Sequence, residues 1–441
     1  MKKVVFFGLI VALFASCGNN GNGYLTGVKD RKNWFQEDPY GMVYIPMGSY
    51  NMGGSDQDVP WAQTQQTKTV SLPAYYMDQT EITNNEYRQF VNYVRDSIAY
   101  KLLAANVDEE EYSIMQDENG LDIEEPTINW KKKIKWDGSD EEIRDALEEM
   151  YLPENERFYR RKEIDTRKLI FKYYYINLKE AARKSTRPKY IKDRSQLIVP
   201  DEINVYPDTL AWVHDFSYAY NEPMTNMYFW HPGYDDYPVV GVNWKQATAF
   251  CIWRTQFRND YLHSKDQPFE QNYRLPTESE WEYAARGGLD LSPYPWGGPY
   301  IRNSNGCFLG NYKPMRGNYI DDGGFQTVKA YEYNPNNYGL YCMAGNVAEW
   351  TSNAFDESAY TFTHDQNTDY TYDAKTEDHY TKKRKVIRGG SWKDIGFYLQ
   401  TGTRTYEYQD TAKSYIGFRC VISYIGRDKN DDTRTKSGDL K

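Results

Sequence analysis

Forty-two tyrosines and twelve tryptophans in a chain of 441 residues limit what it can fold into more than any other feature. Each of these side chains has an apolar body and one polar atom, so it buries well only where a hydrogen-bond partner is within reach. Such residues suit irregular, loop-rich folds and protein interfaces. With 40% hydrophobic residues the chain can bury a substantial core in one or two domains. The net charge is -10, and no basic run exceeds Lys131-Lys-Lys-Ile-Lys135 or Lys382-Lys-Arg-Lys385, which argues against a nucleic-acid partner.

The chain starts Met1-Lys-Lys, runs apolar from Val4 to Ala15 and reaches Ser16-Cys17. A basic start, a short apolar stretch and small residues before a cut describe a secretory signal over residues 1–16, too short to span a bilayer as a mature helix. Leu13-Phe-Ala-Ser-Cys17 is similar to a bacterial lipobox, which implies acylation of Cys17 and lasting attachment to a membrane. Residues 17–39, opening with Gly18-Asn-Asn-Gly-Asn-Gly23, then read as a flexible tether. The four other cysteines, Cys251, Cys307, Cys342 and Cys420, allow three pairings in an oxidising compartment.

Local patterns predict a strand, turn and strand over Gly41–Gly53, and a strand at Tyr75 that passes into a helix capped by Thr83 with Glu86 three residues on. Val239–Trp244 reads as a strand, and Lys245–Arg258 as a helix with Ala249, Phe250 and Trp253 on one face. Thr277-Glu-Ser-Glu280 is a second capping box, opening a helix that buries Trp281, Ala284 and Ala285. Between these regions, Ser139–Met150 is expected to be a helix capped at Ser139 with an apolar edge of Ile143, Leu147 and Met150. Glu163–Lys184 fits helix and strand periods equally.

Four segments carry a family resemblance: Arg274-Leu-Pro-Thr-Glu-Ser-Glu-Trp-Glu-Tyr-Ala-Ala-Arg-Gly-Gly288, Tyr338-Gly-Leu-Tyr-Cys-Met-Ala-Gly-Asn-Val-Ala-Glu-Trp350, Arg388-Gly-Gly-Ser-Trp392 and Gly417-Phe-Arg-Cys420. Together they resemble the formylglycine-generating enzyme (sulfatase-modifying factor) family. The resemblance implies an α+β fold, irregular and loop-rich, of the C-type-lectin-like kind. It covers two pieces, residues 40–100 and 237–425, split by a charged, aromatic-rich insertion at 101–236 and followed by a tail at 426–441 expected to be disordered. It also implies a structural disulfide between Cys251 and Cys420, with Cys307 and Cys342 as a weaker second pair.

In those enzymes two cysteines shortly after Gly-Gly-Ser-[Tyr/Trp] bind copper, which demands soft thiolates. Counted without gaps from Gly389-Gly-Ser-Trp392 the two positions fall on Asp394 and Leu399, and no cysteine stands between Trp392 and Cys420. The resemblance therefore implies a pseudoenzyme that needs no cofactor. The alternative is a divergent oxygenase with histidine-ligated iron, but His214, His231, His263, His364 and His379 show no helical metal spacing. Nucleophile elbow, phosphate loop and Cys-x-x-Cys are all absent from the sequence.

Structural calcium is implied at two places, with hard oxygen ligands. One uses the carbonyls of Gly345 and Val347 and the carboxylate of Glu349, with Cys342 standing where the family has Asn or Asp. The other uses Asn311, the Tyr312 carbonyl and Asp322.

Within the superfamily, Cys17, Pro39-Tyr-Gly-Met42, the Tyr76-Met-Asp-Gln-Thr-Glu-Ile-Thr-Asn84 motif, the insertion and the missing cysteine pair are similar to the gliding-motility lipoproteins of the type IX secretion system of Bacteroidota. That resemblance implies a lipid-anchored protein on the periplasmic face of the outer membrane. It implies self-association in a ring with a GldN/PorN-like periplasmic protein. The aromatic and arginine content of the insertion, Trp130, Phe158, Tyr159, Arg160, Arg161 and Tyr173–Tyr175 among it, suits a partner surface.

Overall fold

The computed structural model describes residues 36–54, 66–116, 120–185, 193–215, 223–314, 318, 320 and 324–426. Cys17, the signal and most of the tether and tail lie outside these residues, and the fold is built by Asp38–Ile425.

The two strands expected over Gly41–Gly53 form, but they do not pair with each other. Strand β1 (Met42–Ile45) instead pairs antiparallel with β4 (Tyr75–Asp78), and β2 (Gly48–Met52) with β3 (Lys68–Leu72). Strand β4 is central, because β13 (Val421–Ser423) pairs along its other edge, and its four residues are all buried. In the insertion, β5 (Ser113–Gln116) pairs with β6 (Asp122–Ile128), and β7 (Ile170–Ile176) with β8 (Ile198–Asn204). A second sheet has the order β11 (Thr405–Tyr408), β10 (Arg384–Arg388), β9 (Ala348–Ala354), β12 (Ile416–Gly417), with β12 parallel to β9.

Helix Asn84–Asn106 begins at the expected capping box: the Thr83 hydroxyl accepts from the Glu86 amide, and Glu86 accepts from the Thr83 amide. It buries Tyr87, Phe90, Val91 and Val94 in the main core, then runs on so that Ala99, Tyr100 and Leu103 pack with Tyr112, Ile143, Leu147 and Met150. The segment from 101 onward thus shares an element with what precedes it, and Leu169, Phe171, Tyr173 and Val205 join the main core cluster.

Two further local expectations are corrected. Asp140, not Ser139, caps helix Glu141–Leu147, because the Ser139 hydroxyl and amide both donate to Asp137 and leave Asp140 to accept from Glu142. Val239–Val242 belongs to no strand, and Asn243 caps helix Trp244–His263 in a capping box with Gln246, so the segment read as a strand ends by turning into a helix. Glu163–Lys184 resolves into β7 and a short helix, Leu178–Ala182.

Several core aromatics meet their polar demand with backbone oxygens, although Trp253 Nε1 is buried without a partner among the described residues. Tyr87 donates to the Val205 carbonyl at 3.0 Å, Tyr75 to the Glu280 carbonyl at 2.6 Å, and Trp350 Nε1 to the Val242 carbonyl at 3.0 Å. The apolar bodies of these three can then be buried without orphaned donors.

Candidate functional site

The segment after β10 reverses sharply at Gly389 and Gly390, both at positive φ. A Cβ on Gly390 would come within 2.7 Å of the Tyr398 carbonyl, so only glycine lets the chain fold back there. The turn buries Ser391, whose hydroxyl donates to the Asp394 carboxylate at 2.6 Å. Burial pushes the Asp394 carboxyl up, against the Ser391 bonds that lower it. Leu399 is fully buried with Tyr294 and Ala344. One position thus holds a hard carboxylate tied to its own turn and the other a packed aliphatic.

Around this turn lies a lattice of buried charges. Glu282 accepts from Arg388, from Arg286 (Nε at 3.0 Å, Nη2 at 2.6 Å) and from the Gly53 amide at 2.9 Å. Glu278 accepts from Arg404 and Tyr360, and Glu280 from both arms of Arg274 at 2.7 and 2.6 Å. Burial would raise Glu278 and Glu280, but Arg404 and Arg388 outweigh it for the first and Arg274 for the second, so both lie below the usual carboxylate range.

A second buried group joins the turn after β4 to the start of β9. Glu349 receives Arg419 through Nε at 2.7 Å and Nη2 at 2.6 Å, and Trp281 Nε1 at 2.8 Å. Glu81 accepts from Asn346 Nδ2 at 2.8 Å and the Val347 amide at 3.3 Å, and burial, with Glu349 nearby, pushes its carboxyl well above the usual range. Cys342, at φ 51, is buried beside them, and burial followed by Glu81 pushes its thiol up.

Residues 30–424 match the family described as Sulfatase-modifying factor enzyme 1-like domain. This chain belongs to that family. Among relatives of the sulfatase-modifying factor domain, it is 35% identical over 201 residues to "Inactive C-alpha-formylglycine-generating enzyme 2" of Mus musculus, covering 44% of this chain and 51% of that one. It is 32% identical over 196 residues to "Formylglycine-generating enzyme" of Streptomyces coelicolor, covering 43% and 54%. The chain therefore spans about half the length of these relatives. PvdO from Pseudomonas aeruginosa is a structural neighbour at 15% identity and TM-score 0.45, covering 87% of this chain and 94% of that one.

Copper is the metal that the sulfatase-modifying factor resemblance raises first, and the donors after Trp392 do not fit it, since Asp394 and Leu399 supply no thiolate. The first calcium set does not fit either. Both Glu349 oxygens are engaged by Arg419, and Cys342 offers a soft, protonated sulfur where a hard oxygen is needed. In the second set, the Asn311 amide donates to the Gln326 carbonyl at 2.6 Å, and its own carbonyl accepts from the Asn346 amide at 2.9 Å. Gly345 permits that approach, since a Cβ there would meet the Asn311 carbonyl at 2.3 Å. Tyr312 packs edge-on against Phe308, and Asp322 lies outside the described residues.

Cys251 and Cys420 are brought together as buried thiols with sulfurs 3.5 Å apart. Cys307, exposed, and Cys342, buried, line one cleft of about 370 Å³ with Trp296, Phe308 and Tyr333. All five histidines are exposed, and no group of three or more metal-ligating side chains occurs among the described residues.

Sequence reasoning missed Glu81, Asn346 and the ionic lattice. The lattice alone had a visible signal, the density of acid beside tryptophan, alanine and arginine in Thr277–Gly288. Lys385 was missed as well. It is fully buried in β10, bonds the Tyr372 carbonyl at 2.8 Å, sits 3.7 Å from the Trp244 ring centre, and burial lowers its pKa to about 8.

Proposed function

We propose that this chain is a non-catalytic sulfatase-modifying factor protein: a lipoprotein held by Cys17 on the periplasmic face of the outer membrane, serving as a ring component of the type IX secretion and gliding machinery. The observation that carries the loss of catalysis is the absence of any cysteine between Trp392 and Cys420, with Asp394 and Leu399 at the counted positions. A relative named as inactive is in keeping with it. The signature carboxylates and arginines serve as internal crosslinks, so the motif persists for folding while formylglycine synthesis has no metal site.

The finer reading, of the GldK (PorK) kind, rests on the lipobox, the Pro39–Met42 opening, the Tyr76–Asn84 motif and the insertion. The paralogous gliding lipoprotein GldJ is the nearest competing reading. On this reading the partners are a GldN/PorN-like periplasmic protein and further copies of the chain, and no cofactor is required. Calcium at Asn311, Tyr312 and Asp322 is the one structural ion it admits.

A pull-down from detergent-solubilised outer membrane, run with wild type and Cys17→Ala, tests this reading. Wild type should fractionate with membrane, incorporate labelled fatty acid and retain a periplasmic partner, and Cys17→Ala should lose label and membrane. A labelled, membrane-bound Cys17→Ala protein would contradict the anchor. A wild type recovered without a partner would contradict the ring.

A further inference from the structure

Residues 150–165 leave the domain and return as a closed excursion. Its base is sealed by the Tyr151–Ile164 bridge, by the Leu152 amide on the Glu163 carbonyl at 2.9 Å and by the Asp165 amide on the Met150 carbonyl at 2.9 Å. Two of its four cations are satisfied at the base, Arg157 and Lys162 both by Glu148, and the adjoining Arg167 is held by Asp165 and Glu156.

The tip is different. Tyr159 and Arg160 are consecutive non-glycine residues in the left-handed region, at φ 50 and 58, a conformation that L side chains adopt only against steric resistance. The side chains it presents are Phe158 at 70% exposure and Tyr159 at 80%, with ring centres 4.4 Å apart. Beside them Arg160 and Arg161 are exposed, and their guanidinium groups have no hydrogen-bond or ion-pair partner among the described residues. At the base lies a cavity of about 410 Å³ with an apolar wall of Leu102, Met150, Ile164 and Leu169, lined also by the cations Lys168 and Lys172 and by the acids Glu149 and Asp165.

We infer that the 158–161 tip, with the apolar wall of the cavity at its base, docks an acidic segment of a partner polypeptide, its carboxylates on Arg160 and Arg161 and its apolar side chains on Phe158, Tyr159 and that wall. Arginine beside exposed aromatics is the composition of interface hot spots, and a planar guanidinium matches carboxylate geometry. The exposed acids Glu154, Glu156 and Glu163 on the same excursion disfavour a uniformly anionic membrane or duplex, whereas a polypeptide can place carboxylates at discrete points. This deepens the partner-binding reading, but its test involves neither Cys17 nor metal, so each can fail alone.

The test uses the full chain and a fluorescein-labelled random glutamate–tyrosine copolymer, with binding read by anisotropy. Wild type should bind saturably, and Arg160→Glu with Arg161→Glu should weaken binding by roughly tenfold or more. Tyr159→Gly relieves the left-handed strain, so it should raise the melting temperature while weakening binding, which a merely structural tip would not do. Absence of wild-type binding, equal binding by the charge-reversed variant, or tighter arginine-dependent binding to phosphatidylglycerol vesicles or duplex DNA would overturn the inference.

Discussion

Arg419→Met probes the buried lattice most sharply. Arg419 is fully buried and gives two bonds to Glu349, at 2.7 and 2.6 Å, one to the Asp78 carbonyl at 3.1 Å and one to the Tyr341 carbonyl at 3.0 Å. Methionine fills much of the volume but leaves Glu349, itself 1% exposed, with Trp281 as its remaining donor. Breaking one side of a buried pair costs about 3–5 kcal/mol, and the two orphaned carbonyls push this toward the upper end. For a domain of this size each kcal/mol lowers the melting temperature by about 2 °C, so a fall of roughly 6–10 °C is expected by calorimetry. Glu349→Gln keeps an acceptor for Trp281 and removes the unpaired charge. Added to Arg419→Met it should recover about 1–3 kcal/mol. A single variant within about 1 kcal/mol of wild type, or a double variant no more stable than the single, would refute the assignment of these residues to structure.

Cys251 and Cys420 should be found linked by non-reducing peptide mapping of protein matured in an oxidising compartment; recovery of both as free thiols would contradict this. Closing the 169-residue separation would contribute up to about 5 kcal/mol in the chain-entropy model, so Cys251→Ser with Cys420→Ser should unfold well below wild type. Lys385 titrates near 8 folded against 10.5 unfolded, so the unfolded state binds more protons between those values and stability rises with pH across that window. Measured against Lys385→Met at matched pH, wild type should gain about 3 kcal/mol between pH 7 and 10.5, and a pH-independent difference would rule out the buried cation.

Helix starts were legible because a capping box is a four-residue signal: Thr83 with Glu86 and Thr277 with Glu280 both sit where the sequence put them. Strand pairing was not. Nothing local tells β1 to pair with β4 rather than β2, and the sheet they form is completed by β13, more than three hundred residues away. Ser139 and Asp140 compete for one cap, and only the position of Asp137 decides between them. Within the site, the missing cysteines could be read directly, but the work of Glu349 could not. A carboxylate flanked by Val347, Ala348 and Trp350 fits a metal ligand or an arginine partner equally, and only the placement of Arg419 settles it.

The central claim is that the family fold persists here without its oxygen chemistry. Purified chain, matured in the periplasm and exposed to copper(I) or iron(II) under reducing conditions, should be analysed for bound metal, oxygen consumption and conversion of a peptide cysteine to its aldehyde. The account predicts no stoichiometric copper or iron, no oxygen uptake above buffer and no aldehyde, with calcium alone leaving it intact. Stoichiometric copper or iron together with oxygen consumption would contradict it.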